Sequence, residues 1–449
     1  MPSSNPLAPI VQRWLQCIAQ AKKHKAPFQA DADEAMQFFA GDPDFMWKDK
    51  YARGERGYNK GGLNPPAFRM SVNRVWEAVR LFTAVIHHRN PSRAVTAKQY
   101  PVISPALLGI VPQPPVPQMG PDGQPVVGPD GNMVMMPDPN VMAYQQAVSQ
   151  QQAMQDRRSV ISKLLEDYLN YTPNELDLKR QSRKVVEEAF IKGAGVWWHE
   201  LYSPPGSSVK MAGSFYDTID NLVWDPDADE FDDIRWVARR RMQPIDEVAA
   251  KFGISRQDMR GNLESYQTRA TAEERGYEHQ KKAGKTNDLI VYWEIYSKTG
   301  FGDRLKDSNP ELQGKFDALG SNCYIVVSDG VDFPLNIPPA LLGEEVDETG
   351  VPPQLFMNAQ WPIPFWAEPQ GWPFTLLAWH GKPGYSWPLS LIRPGIGELR
   401  FINWAMSFLA TRIATSSQIL IGVAKAADDN LKAKILEKDE GGLKVVEIS

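Results

Sequence analysis

Between Ile396 and Ile421 the chain carries a helical periodicity that narrows how this part of it can pack. Leu399, Ile402, Met406, Leu409 and Ile413 follow one another at alternating spacings of three and four, a seam suited to a second helix. At about 100° per residue, Phe401, Phe408 and Ile419 form a second apolar stripe. Arg400, Asn403, Ser407, Thr411 and Gln418 form a polar stripe roughly 120° from the seam. An ordinary bundle helix has one apolar face and a broad wet one. Two apolar stripes and a narrow polar edge instead fit a helix wedged between neighbours with one side toward water. A ring of such helices around an aqueous channel meets that condition, and so does a buried helix whose polar stripe meets a loop. The ring makes Arg400, Asn403, Ser407, Thr411 and Gln418 candidate channel-facing residues. It makes Leu399, Ile402, Met406, Leu409, Ile413, Phe401 and Phe408 candidate subunit-packing residues.

The chain has enough apolar residues to build the core such a helix needs. Its 449 residues are 42% hydrophobic and 23% charged, the balance of a folded protein with two to four domains or one elongated subunit. A net charge of -5 argues against coating nucleic acid with a basic surface. The charge is uneven. Residues 1–100 are basic, with Lys22, Lys23 and Lys25 close together and Arg69, Arg74, Arg80, Arg89 and Arg93 beyond. Residues 301–380 are acidic, densest at Glu344, Glu345, Asp347 and Glu348. Solvated surface accounts for both runs; the sharper alternative is one end facing DNA or acidic partners and another kept off them. Cys17 and Cys323 are too few and too far apart for a disulfide framework, so a reducing cytoplasm is expected. The N-terminus has no charged region followed by an apolar core, and no apolar run reaches the roughly 18 residues of a membrane span. A soluble protein is expected.

Along the chain, a short amphipathic helix is expected near 9–23, followed by a loop-rich arm to residue 70. Ser71 can cap a helix to about His88, with Val72, Val75, Val79, Phe82 and Ile86 as its apolar stripe. Eleven prolines fall within 101–140, and GPDG occurs twice, at 120–123 and 128–131. That stretch reads as a mobile insertion, partly polyproline II. A helix resumes near 143 with Val160, Ile161, Leu164, Leu165, Tyr168 and Leu169 on its buried face. Asn174 caps the next, which ends at Gly193 and Gly195. VWWHELY, NLVWDP, IRWVARRRM, DLIVYWEIYSK and NCYIVVSDG read as strands. QPIDEVAAKFG reads as a helix with Pro244 in its first turn and Gly253 after it. The region holding Trp361, Trp366, Trp372, Trp379 and Trp387 suggests a compact β-rich module. The tail GGLKVVEIS stops inside a strand, so the chain reads as a fragment of something longer.

Catalytic and cofactor motifs fail on inspection. His24, His87, His88, His199, His279 and His380 are scattered, with no HExxH and no zinc spacing. Gly284-Lys285-Thr286 lacks the first glycine of a phosphate loop, whose place is taken by His279. Asp225, Asp227 and Asp229 open like a calcium loop, but Glu230 replaces its glycine and Trp236 its bidentate glutamate. No GxSxG elbow occurs. No cofactor, metal or catalytic residue is therefore assigned.

The order of elements resembles the portal proteins, or head-tail connectors, of tailed bacteriophages, especially podovirus-like ones. The likeness runs from SVNRVWEAVRLFTAVIHHRNPSRAVTA through KVVEEAFIKGAGVWWHELY and NLVWDPDADEFDDIRWVARRR to QPIDEVAAKFG and VYWEIYSK. It closes on WPFTLLAWHGKPGYSWPLSLIRPGIGELRFINWAMSFLATRIATSS, with Asn403 and Ser407 at the usual polar positions. The insertion at 101–140 departs from the family pattern. The resemblance implies an α+β, elongated subunit with an α/β wing, a helical stem and a β-rich clip. Its parts are an N-terminal arm (1–70), wing (71–242), first stem region (243–285), clip (286–394), second stem helix (395–424) and return to the wing (425–449). It further implies a non-enzymatic ring, usually of twelve copies, at a capsid vertex of the virion, assembled in the host cytoplasm. Double-stranded DNA passes through it non-specifically during packaging and ejection. The implied partners are the terminase large subunit, a head-tail adaptor, and capsid and scaffolding proteins. The alternatives are another phage structural or adaptor protein, or a carbohydrate-active enzyme built on the Trp-rich region.

Overall fold

The computed structural model describes residues 5–47, 66–87, 92–99, 116–136, 139–203, 208–259, 289–301, 310–343, 352–363, 366, 371–416, 419–424 and 443–448. The protein is α+β. Its contacts divide it into two units, residues 1–87 with 181–449 and residues 88–180.

The first unit is organised along helix α1 (Ala8–Ala40). Leu7, Val11, Trp14, Ile18, Ala21, Lys25, Phe28, Ala32, Ala35 and Phe38 are all buried, at steps of three and four. This one stripe crosses three separate cores in succession. Trp14 meets Trp236 edge-on in the first, Phe28 packs on Trp387 in the second, and Phe38 meets Phe45 in the third. The expected end near residue 23 is therefore corrected. Pro27 lies inside the helix, and burial on both sides of it offsets the roughly 3 kcal/mol that an interior proline costs.

Two antiparallel sheets stand against this helix. Strands β5 (Leu222–Trp224), β6 (Trp236–Pro244), β7 (Leu289–Ser297) and β8 (Cys323–Val327) lie in the order β5-β6-β7-β8. Nearly every residue of β7 and β8 is buried, which is why they read as continuous apolar runs rather than alternating ones. The second sheet has the order β4-β3-β9, from β3 (Ala194–Tyr202), β4 (Met211–Asp217) and β9 (Phe374–Ala378). Helix α4 (Leu178–Lys192) enters β3 through Gly193, whose φ of 102° needs glycine, and Gly195. A side chain on Gly195 would lie 2.1 Å from the Val185 carbonyl oxygen. The expected glycine stop holds.

Helix α5 (Ile245–Phe252) follows β6 with Pro244 at its N-cap, one position before the first turn expected of it, and with Gly253 left-handed after it as expected. Helix α2 (Arg74–His87) is capped by Asn73, whose Oδ1 accepts from the Trp76 N–H, not by Ser71. Val75 and Val79 are buried, whereas Ile86 is exposed. The parallel pair β12 (Ile419–Ala424) and β13 (Leu443–Ile448) gives the tail strand a partner.

The second unit overturns two expectations. Within 116–136, each GPDG makes a tight hairpin. Gly123 N–H donates to Gly120 O at 3.0 Å, Gly120 N–H to Gln124 O at 2.8 Å, and Gly123 is left-handed at φ 69°. Gly128, Gly131 and Asn132 repeat the pattern eight residues on. Three bonds then close a cycle: Gln118 N–H to Val134 O (2.8 Å), Val126 N–H to Gln118 O (2.7 Å) and Val134 N–H to Val126 O (2.8 Å). This part of the insertion is thus a folded repeat, because Pro-Asp-Gly presets the turn. Helix α3 (Pro139–Glu175) also departs from expectation. Val160, Ile161, Leu164 and Leu165, expected to be buried, are exposed. On the other side of the helix an extended segment is clipped to it. Asn170 exchanges bonds with the Arg93 N–H (2.9 Å) and C=O (2.8 Å), and Glu166 accepts from the Val95 N–H at 3.1 Å. Asn174 lies within α3 and does not cap α4.

Candidate assembly surface on the helix at 396–416

Helix α9 (Ile396–Ser416) is seated by its first turns. Ile396 is buried in the third core, and Leu399 and Trp404 pack against it. Beyond that, the polar and apolar faces are exchanged relative to a surface helix.

The polar stripe is turned inward. Asn403 and Ser407 are only 2% and 1% exposed. Asn403 Oδ1 accepts the Val72 N–H at 2.8 Å, Ser407 Oγ the Met70 N–H at 3.0 Å, and Thr411 Oγ1 the Phe68 N–H at 3.1 Å. The match is geometric. Four helical residues advance about 6 Å, and two residues of extended chain advance about 6.7 Å. Side chains at i, i+4 and i+8 therefore meet every second amide of an antiparallel segment. Each hydroxyl also donates backward, Ser407 to Asn403 O (2.7 Å) and Thr411 to Ser407 O (2.9 Å). That leaves its lone pairs to accept from the strap. Arg400 is bound to the buried carboxylate of Glu34 on α1, Nε to Oε1 at 2.8 Å.

The expectation that Arg400, Asn403, Ser407 and Thr411 face a channel is therefore corrected. They hold residues 68–72 and Glu34 of their own chain, the arrangement in which a polar stripe meets a loop. Gln418 lies outside the described residues.

The apolar seam is turned outward. Phe401, Ile402, Met406, Leu409 and Ile413 are exposed, Ile413 to 60%. Two other members of the candidate subunit-packing set are used within the chain. Leu399 packs on the third core, and Phe408 lies between Trp404 (4.8 Å between centroids) and Trp47 (6.1 Å).

Elsewhere, charged clusters are satisfied internally. Lys25 donates to the carbonyls of Ile219 (2.7 Å), Asp220 (3.2 Å) and Leu222 (2.9 Å), and burial pushes its ammonium down to about 7. Beside it, Lys192 bridges Glu188 (2.9 Å) and Asp220. Burial opposes that charge, but the two carboxylates outweigh it and hold Lys192 above its ordinary value. Glu294 sits buried between Arg241 Nε and Lys251 Nζ, each at 3.0 Å. Burial would raise Glu294, and these cations more than compensate. Both clusters link elements through saturated ion pairs, a structural arrangement.

The calcium-like loop is likewise occupied by protein. Arg235 binds Asp225 at 2.6 Å and Asp227 at 3.1 Å. Among the described residues no group of three or more His, Cys, Asp or Glu side chains is placed to hold a metal ion. Gly284-Lys285-Thr286 lies outside the described residues. Trp361, Trp372 and Trp387 are buried, Trp387 stacked on Trp224 at 3.5 Å, so these rings present no face for stacking a sugar. No described helix is long and apolar enough to cross a membrane.

Nothing in the sequence offered residues 68–72 as the segment that meets α9, because amides carry no residue signature. The usable signal was the i, i+4, i+8 spacing of short acceptors. No family model matches the chain, and no curated protein matches it in sequence.

Proposed function

We propose that this chain is a portal-type structural subunit of a tailed phage, one that assembles with copies of itself into a ring for double-stranded DNA. The observation that carries this reading is the outward part of the α9 seam, Ile402, Met406, Leu409 and Ile413, with the exposed Phe401 of the second stripe beside it, on a helix whose polar edge is already occupied. Exposed apolar stripes of this kind mark interaction surfaces. The heptad-like spacing suits a helix or helix edge of a neighbouring subunit. The order of strands and helices that resembles the portal family supports the same reading. The ring reading no longer draws on Arg400, Asn403, Ser407 or Thr411 as a pore lining. It rests on subunit packing.

On this reading the chain has no catalytic role, and the work of packaging belongs to a separate terminase motor that docks on the ring. An adaptor and the capsid and scaffolding proteins are the other partners. Negative-stain imaging of the purified full-length protein should show rings with a central hole. A monodisperse monomer at micromolar concentration would overturn the assignment.

A further inference from the structure

We propose that α3, in the second unit, is a docking surface for the same helix of a second copy, paired antiparallel about a two-fold axis. The inference does not depend on the ring. It starts from positions 157, 161, 164, 168, 171 and 175, which alternate at four and three residues and so form one seam. They read Arg, Ile, Leu, Tyr, Tyr, Glu. Ile161, Leu164 and Tyr171 are exposed, Leu164 to 71%. Together with Leu165, Asp167 and Tyr168 they line a shallow groove of about 610 Å³. The strap at 93–95 occupies Glu166 and Asn170. At about 100° per residue those positions lie on the side of the helix opposite the seam, so the strap leaves the groove open.

What selects the occupant is the order of charges. The seam is palindromic in spacing but opposite in sign at its ends. Laid antiparallel on a copy of itself, Leu164 falls opposite the Tyr168 position and Ile161 opposite the Tyr171 position. Arg157 then falls opposite the Glu175 position at both ends. Laid parallel, arginine faces arginine and glutamate faces glutamate, which is repulsive. Arg157 and Glu175 are both exposed and stand at the ends of the apolar run, where each ion pair adds modestly to strength and like charges set opposite each other at both ends are repulsive. A two-fold contact of this kind joins two copies and stops, whereas a ring grows by head-to-tail contacts. The pairing therefore makes a dimer, or joins two rings, and is separable from ring closure.

The test uses the full chain in a Cys17→Ala background, Cys323 being buried. Leu164→Cys and Tyr168→Cys proteins are oxidised separately and as an equimolar mixture. A crosslinked dimer that forms at least tenfold more in the mixture than in either protein alone supports antiparallel pairing. Crosslinking of Leu164→Cys alone to the same extent, or no crosslinking in any sample, overturns it. Arg157→Glu should weaken dimerisation about tenfold in sedimentation, and adding Glu175→Arg should restore it. A dimer indifferent to Arg157→Glu also overturns the proposal. Rings that persist in Leu164→Glu while the two-fold dimer is lost would separate this inference from the portal reading. Unchanged circular dichroism of each variant shows that the fold is kept.

Discussion

Helices α1 and α9 obey opposite rules. In α1 the apolar stripe is buried from Leu7 to Phe38 and charges such as Lys22 and Lys23 lie outside. In α9 the polar stripe is inside and the apolar seam outside. The difference lies in what each helix must satisfy. Sheet faces that need apolar cover meet α1, whereas an extended segment whose amides need acceptors meets α9. A buried amide without a partner costs about 1–3 kcal/mol, comparable to the gain from burying one aliphatic side chain. The Met70 and Val72 amides, in partly buried bonds, and the more exposed Phe68 amide all draw their acceptors from this stripe, which favours turning it toward the segment.

The comparison can be broken most forcefully at α1. Trp14→Ala removes a buried ring that meets Trp236 at 5.6 Å between centroids, and should cost about 3–5 kcal/mol in urea unfolding. Little change would mean that α1 is not the spine of the first unit.

Next in size is the pH dependence that Lys25 brings to α1. Its folded value is about 7, against 10.5 for the ordinary side chain. Between those values the unfolded chain holds more protons than the folded one, so stability rises with pH through this window. Below about pH 7 both states are protonated and the penalty of burial is fully present. A melting series from pH 7 to 9 should show that rise, and Lys25→Met should flatten it.

A smaller effect should follow from Asn403→Ala, which strips the Val72 amide of its acceptor for about 1–3 kcal/mol. Amides of Phe68, Met70 and Val72 should then exchange with deuterium faster, with the sheets unaffected. The smallest effect on the isolated chain belongs to Ile413→Glu. It should shift stability by less than about 0.5 kcal/mol, as an exposed substitution does, yet abolish rings in negative stain. Loss of stability instead would place Ile413 in the chain's own packing.

Much of the sheet structure was legible in the sequence. VWWHELY, IRWVARRRM, DLIVYWEIYSK and NCYIVVSDG became strands because β-branched and aromatic residues fill positions buried on one or both faces. The helix at 245–252 was marked by proline before it and glycine after it. Helix α1 runs past the end expected near residue 23, through Lys25, whose ammonium is held by three carbonyls, and Pro27, and neither residue carries an apolar periodic signature. The two straps were invisible because they bind through backbone amides. The stripes of α9 were also legible, but which of them would be left open was not: a stripe pattern gives directions around a helix without saying what occupies each one.

The cycle joining Gln118, Val126 and Val134 sets a limit on evolution at that spot. An open repeat can lengthen by one copy and still mate every peptide group, as in a solenoid. A three-membered closed circuit cannot, because a fourth eight-residue copy must break a rung before it can join. Insertions and deletions should therefore be found in the surrounding prolines, with the number of GPDG copies held at two.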